Sequence, residues 1–281
     1  MVCQLVRTDP HPEVAGAAYD AGYYSAHQLA DNLDAGAAGP ARLRDRVMAH
    51  AYAVHLGRTQ SLAARLMLLP VRNRLGGLPP RVAKPGRLLD AGCGDGYFLY
   101  QARRQGWDVY GLEVNPAAVA SARGAGLPVQ LGDLSSADLQ PESFDFVRLW
   151  HVLEHVPDPV ETLRRASSLL TPEGRLIVGV PDFASPVRRL FGARWSGLQL
   201  PYHLHHFEPA TLRAGLTRAG LRVVQFSHRS VGTLYSSLLE TRAGARIPAP
   251  VAWPLALAAD DLLDLFRRGD TIEVLAAVQS R

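Results

Sequence analysis

The chain has 281 residues, a formal charge of only +4 and a single lysine, Lys84. That length allows one large domain with additions or two modest ones, and no basic tract interleaved with aromatics marks a nucleic-acid binder. Its two cysteines, Cys3 and Cys93, exclude a disulfide framework and a multi-cysteine metal site.

Residues 1–84 show no alternating strand pattern and read as an N-terminal helical extension. Met1 to Pro10 lacks the apolar core of a signal peptide. Helices are expected from about Pro40 to Leu56 and from Thr59 to Leu69, before a Gly76-Gly77-Leu78-Pro79-Pro80 breaker. The second carries Leu62, Leu66, Met67 and Leu69 beside Arg58 and Arg65, a face suited to packing on the core or to a membrane surface.

From residue 85 onward strand and helix alternate, which predicts a mostly parallel sheet. Arg87-Leu88-Leu89-Asp90 is a short apolar run ending in an acid. Gly92, Gly94 and Gly96 follow at alternate positions, and an amphipathic segment, Tyr97 to Arg104, comes next. The pattern is a buried strand, a tight turn and a helix whose first N–H groups lack partners. Further strands are expected at Trp107–Glu113, Pro128–Leu131, Phe144–Trp150, Gly174–Val180, Leu221–Phe226 and Thr271–Val278. Helices are expected from Asn115-Pro116 to Arg123, from Val160 to Leu170 and from Thr211 to Ala219. Two segments interrupt this alternation: 182–209, after the fifth strand, and 227–270, between the sixth and seventh. The apolar stretch Ile247–Phe266 is broken by Pro248, Pro250, Pro254, Asp260 and Asp261, so stable membrane insertion is not expected and residence is expected to be cytoplasmic.

A dinucleotide turn wants G-x-G-x-x-G, and Tyr97 stands where its third glycine belongs. The D-x-G-x-G-x-G run from Asp90 to Gly96 instead resembles the first motif of class I S-adenosylmethionine-dependent methyltransferases. Glu113, about 20 residues after the turn begins, has the spacing of a ribose-binding carboxylate. Gly132-Asp133-Leu134 resembles the family's adenine position. Phe144 to Trp150 resembles its fourth motif, facing the methionine part of the cofactor, and Thr171-Pro172-Glu173-Gly174 resembles the turn before its fifth strand. The resemblance implies an α/β, Rossmann-like, seven-stranded sheet with helices on both faces and the last strand antiparallel. It implies S-adenosyl-L-methionine as cofactor, contacted at Asp90, Gly92, Cys93, Gly94, Gly96, Glu113, Val114, Asp133, Leu134, Trp150 and His151.

The stretch His151-Val152-Leu153-Glu154-His155-Val156-Pro157-Asp158-Pro159 contains H-x-x-E-H, a zinc-peptidase string. That string needs a long helix, which Pro157 and Pro159 forbid. The segment resembles E-x-x-E-H-V-x-x-P of ubiquinone-biosynthesis O-methyltransferases, some relatives of which bind magnesium through the two acids and the histidine. His151 replaces the first acid and is a poor ligand for a hard cation, so no metal is expected. Segment 186–207 resembles the lid of methyltransferases associated with sugars, lipids and glycans, with Phe191, Trp195, Pro201, His203 and Phe207 fitting the pattern. His203, His205 and His206 lack an acid or cysteine to complete a zinc set. An imidazole titrating near neutrality can deprotonate a hydroxyl, which makes His203 the expected catalytic base and His151 the next candidate. The expected activity is methyl transfer to a small-molecule hydroxyl on a sugar, polyketide, phenol or lipid-linked intermediate. N- or C-methylation and a non-catalytic cofactor-binding scaffold are the alternatives, and oligomeric state is not legible.

Overall fold

The computed structural model describes residues 5–8, 51, 54, 76–82, 84–241 and 244–279. Cys3 and nearly all of the two expected N-terminal helices lie outside these residues. The described strands are β1 (Val6–Arg7), β2 (Arg87–Ala91), β3 (Asp108–Glu113), β4 (Val129–Leu131), β5 (Phe144–Trp150), β6 (Leu170–Pro181), β7 (His205–His206), β8 (Leu221–Arg229) and β9 (Thr271–Val278). The α-helices with complete described spans are α1 (Tyr97–Arg104), α2 (Pro116–Gly124), α3 (Pro159–Leu169), α4 (Pro186–Phe191), α5 (Pro209–Arg218), α6 (Thr233–Leu239) and α7 (Ala249–Leu265).

Seven strands form one sheet in the order β4-β3-β2-β5-β6-β9-β8. Neighbours from β4 to β6 are parallel, while β9 runs antiparallel to both β6 and β8. The central strands are apolar because helices cover both faces. Leu163, Ala166, Leu169, Leu212 and Leu216 of α3 and α5 close one layer. Phe98, Leu99, Ala102, Val119 and Ala122 of α1 and α2 close the other, joined by Ala51 and Leu78 from the N-terminal part.

Local chemistry fixes the helix starts. Asn115 Oδ1 accepts from the N–H groups of Ala117 and Ala118 at 2.9 and 3.1 Å, with Pro116 at the first helical position of α2. Asp158 does the same for α3 with Pro159 behind it. Each cap satisfies donors that a helix leaves unpaired at its start, and proline there forfeits no bond.

Two strands differ from expectation. β6 begins at Leu170, before the expected turn, because Phe144 pairs with Leu170 and Phe146 next with Arg175; the 171–174 turn bulges out within the strand. β8 runs three residues past Phe226, since Arg229 Nε binds Glu273 Oε1 at 2.7 Å and extends the pairing with β9 to Arg229 opposite Thr271. The lid also contains β7, paired antiparallel with β1, a pairing that a two-residue strand gives no periodicity to reveal.

Candidate active site

All the parallel strands end at one edge of the sheet, where crevices in such folds receive ligands. The glycine turn leaves β2 there, with φ of 82° at Gly92, 55° at Gly94 and 83° at Gly96, a left-handed region in which glycine carries no penalty. Their surroundings differ. A side chain at Gly92 would strike Val152, and one at Gly96 would strike Leu127, whereas among the described residues Gly94 has no heavy atom within 4 Å of its missing Cβ. Gly94 alone of the three opens onto space for a ligand; the other two serve the packing of the turn. Cys93 is buried within it, and burial pushes its thiol up, away from ionisation.

Glu113, at the end of β3, is buried and grips this turn. Its Oε2 accepts from Gly94 N and its Oε1 from Asn115 N, each at 2.8 Å. Each carboxylate oxygen has a second lone pair, which suits two ribose hydroxyls. Beside it Val114 and Leu131, at the ends of β3 and β4, are 45% and 49% exposed and offer apolar surface to a flat ring. Asp133 spends Oδ1 on the N–H groups and hydroxyls of Ser135 and Ser136 at 2.7–3.0 Å. Partial burial would raise this acid, but those hydrogen bonds outweigh it and hold its carboxyl below the usual range. Leu134 behind it is buried in the core. Glycine turn, carboxylate and apolar ledge thus fit the methionine, ribose and adenine parts of S-adenosylmethionine in that order along the sheet edge.

Asp90 is fully buried, and both its oxygens accept from Nη1 of Arg148, at 2.9 and 3.1 Å. Burial raises its pKa, opposed by the Arg148 charge. Arg148 on β5 stacks over Phe98 at 4.1 Å and lies 5.4 Å from the Trp150 ring. These side chains wall a cavity of about 730 Å³, whose lining includes Tyr97, Phe98, Arg148, Trp150, His151, Ser196, Gly197, Val231, Thr233 and Ser236. The Gly76-Gly77 breaker is part of the wall: a side chain at Gly76 would collide with the Trp150 indole. Tyr97 and Phe98, in the first turn of α1, connect the cavity to the glycine turn.

The two segments that interrupt the strand–helix alternation meet over this cavity. Trp195 is buried and donates its Nε1–H to Thr233 Oγ1 at 3.1 Å, and Ser196 N donates to Ser237 Oγ at 2.9 Å. Thr233 in turn donates to Asp270 through both its N–H and its hydroxyl. Burial raises the Asp270 pKa against those donors.

His151 follows β5 immediately and has φ +54°, an uncommon conformation for a residue with a Cβ. It lines the cavity, and its Nδ1 lies 3.1 Å from Oε1 of Glu154. Burial alone would raise Glu154; the hydrogen bond from His151 and the three nearby imidazoles reverse this and hold its carboxyl at about 2. An ionised carboxylate can only accept, so Nδ1 carries the proton, and in the neutral ring Nε2 has the lone pair. The carboxylate orients the ring as an acid orients a histidine base in hydrolytic triads.

His203 is placed differently. It is buried outside the cavity lining, its Nδ1 donates to the Gly197 carbonyl at 2.9 Å, and burial, opposed by Glu154 and reinforced by His155, takes it down to about 4. His205 Nε2 faces the Pro157 carbonyl at 3.3 Å, and His206 stacks near Phe183 at 5.2 Å. The structure therefore gathers Trp150 and His151 with the cavity, and Glu113, Val114 and Asp133 along the neighbouring strand ends. It gives Asp90 to Arg148 and His203 to the lid. Arg148, Thr233 and Asp270 went unremarked in the sequence, because their partners lie far off along the chain; the buried arginine within an apolar strand was the one available signal.

Residues 61–226 match a family described as Methyltransferase domain. The ubiquinone biosynthesis O-methyltransferase of Xanthomonas euvesicatoria pv. vesicatoria (strain 85-10) is 36% identical over 162 residues, 53% of this chain and 66% of that protein. The enzyme of the same name from Xanthomonas campestris pv. campestris (strain B100) is 35% identical over 176 residues, 58% of this chain and 72% of that one. Among solved structures, a chain from the Haloferax volcanii complex of the Trm112 methyltransferase activator and a putative methyltransferase superposes with TM-score 0.54 at 20% identity, covering 83% of this chain and 98% of that one. A putative S-adenosylmethionine-dependent methyltransferase from Listeria monocytogenes gives TM-score 0.52 at 14% identity, over 83% and 100%; at such identities these two speak for the fold alone. With the domain match spanning more than half its length and the sheet, turn and strand-end acid in place, the chain belongs to the class I S-adenosylmethionine-dependent methyltransferases.

Proposed function

We propose that this enzyme methylates a hydroxyl oxygen of a small molecule held in the lidded cavity, with His151 as base and Glu154 as its positioning partner. The observation that carries the reading is the His151–Glu154 pair: an imidazole at the end of β5, lining the cavity, its Nδ1 on a buried carboxylate. S-adenosylmethionine, when bound, supplies an electrophilic methyl on a positively charged sulfur. Gly94, Glu113 and the Val114–Leu131 ledge hold it along the strand ends, with Asp133 and Leu134 at the adenine end. Nε2 of His151 takes the hydroxyl proton as the oxygen forms its bond to the methyl carbon. The bound cofactor would supply the methyl carbon and take the sulfur's bonding electrons away as S-adenosylhomocysteine, so that the exchange balances. Aromatic walls from Tyr97, Phe98 and Trp150 favour a flat acceptor, and the two named Xanthomonas relatives, O-methyltransferases of quinone biosynthesis, support a phenol among the possible classes.

His203, in the lid beyond the cavity wall and held largely uncharged, is the weaker base. Screening phenol, sugar and polyketide hydroxyls for S-adenosylhomocysteine release identifies a working acceptor. On it His151→Ala is expected to lose about 10²–10⁴-fold in kcat, with cofactor affinity by calorimetry unchanged and partial recovery in added imidazole. Near-native kcat in the variant means that His151 is not the base.

A further inference from the structure

We infer that Arg148 reads a carboxylate on the methyl acceptor, so that the enzyme takes a hydroxy acid in preference to its neutral counterparts. The inference rests on the lidded cavity being the acceptor site, as proposed above.

Arg148 stands between Val147 and Leu149 in β5 and is 8% exposed. Its guanidinium has five N–H donors, and Asp90 engages one nitrogen only: both carboxylate oxygens accept from Nη1, at 2.9 and 3.1 Å. Nε is buried without a hydrogen-bond partner, and Nη2 has none among the described residues. Nε and Nη2 together form the side-on edge of the group, a fork that holds a carboxylate through two parallel hydrogen bonds. Asp90 thus leaves unspent the edge best suited to a second acid. A buried donor without an acceptor is costly and calls for a partner. Stacking over the Phe98 ring at 4.1 Å holds the group in place without supplying an oxygen.

The surroundings name the partner's side and charge. Arg148 lines the cavity, whose described lining contains no aspartate or glutamate and neither Gly94 nor Glu113. Arg148 is therefore the one permanent charge in that lining, and it shares the wall with the lid rather than with the glycine turn. A single guanidinium already shared with Asp90 balances one further negative charge. That suits a carboxylate better than a phosphate monoester, which carries about −1.5 to −2 near neutrality. His151, in the same lining, takes the acceptor's hydroxyl while Arg148 takes its carboxylate. Two anchors at separate points on a small molecule fix which hydroxyl meets the methyl group.

The test uses the full chain saturated with S-adenosylhomocysteine and titrated calorimetrically with meta-hydroxybenzoate, para-hydroxybenzoate and protocatechuate, and with the three matching benzamides. Each amide keeps the planar shape of its acid and loses the charge. At least one acid should bind about tenfold or more tightly than its amide. Arg148→Lys keeps a cation for Asp90 but has no fork. Once circular dichroism shows its fold to be native, it should bind that acid about tenfold more weakly, with its affinities for the amide and for S-adenosylhomocysteine unchanged. Equal binding of every acid and its amide by the native enzyme would overturn the inference, whether or not the variant folds. Undiminished acid binding in folded Arg148→Lys would do the same. So would a variant that loses S-adenosylhomocysteine and keeps the acid, since the fork would then serve the cofactor's own carboxylate. Binding needs no turnover, which separates the two readings: preference for the acid without O-methylation sinks the proposed reaction alone, and O-methylation indifferent to the carboxylate sinks this inference alone.

Discussion

Glu113 shows how one side chain can serve turn and ligand together. Its oxygens already hold the amides of Gly94 and Asn115, so the turn is shaped without a cofactor, and each oxygen keeps a lone pair that the proposed reading gives to the ribose. Glu113→Ala should weaken S-adenosylhomocysteine binding by about 1.5–3 kcal/mol, the worth of charge-assisted hydrogen bonds. Calorimetry on both proteins checks this, and equal affinities would remove Glu113 from the site. Burial separates the two candidate bases in the same way. His151 meets the cavity with its Nδ1 on an ionised carboxylate, whereas His203 is buried within the lid with its Nδ1 on a carbonyl.

At the scale of elements, α7 illustrates where sequence reading succeeds and stops. Its apolar stretch is helical, with Pro254 inside it, yet it buries Ala252, Ala256 and Asp260 and leaves Leu255, Leu262 and Leu265 outward. No helix among the described residues is long and apolar enough to cross a membrane. Asp264, near the C-terminal end of α7 where the helix dipole disfavours negative charge, is raised to about 6 by burial and by Asp270, against a hydrogen bond from Ser230. Above pH 6 the folded protein carries that charge at a cost. As pH falls from 6 towards 3.8 the folded state takes the proton first and the cost disappears. Asp264→Asn, which keeps an acceptor for Ser230, should therefore be more stable than the native protein by about 1–2 kcal/mol at pH 7.5 after allowance for solvent screening. The gain should vanish near pH 4 in urea titrations. A gain that is constant across that range would contradict the assignment.

The strands and capped helices were legible because their signals are local: apolar runs for β2, β5 and β6, Asn-Pro and Asp-Pro at the starts of α2 and α3. The pairing of Asp90 with Arg148 was not, since nothing local says which distant cation a buried acid will meet. The same holds for His203, assigned by its motif to the acceptor yet placed by tertiary structure beside Glu154 and His155. The glycine turn was legible in shape but not in division of labour, because only the packing of Val152 and Leu127 shows that Gly92 and Gly96 answer to neighbours while Gly94 faces open space among the described residues.

Across the whole molecule, a parallel half-sheet, β4-β3-β2-β5, carries the cofactor features at its strand ends, and the β6-β9-β8 side supports the roof. Two stretches that read as separate interruptions form that roof together, tied by Trp195, Thr233 and Asp270. In the proposed reaction a small acceptor meets the methyl group in the cavity between roof and strand ends, whose lining includes His151. Single-turnover reaction of the enzyme with S-adenosylmethionine carrying a ¹³C-labelled methyl, on an acceptor that bears both a hydroxyl and an amine, tests this most directly. The account predicts a labelled product whose carbon-13 resonance is that of an O-methyl ether, formed in the native enzyme and nearly lost in His151→Ala. An N-methyl or C-methyl resonance, or an O-methyl product formed equally well without His151, would contradict it.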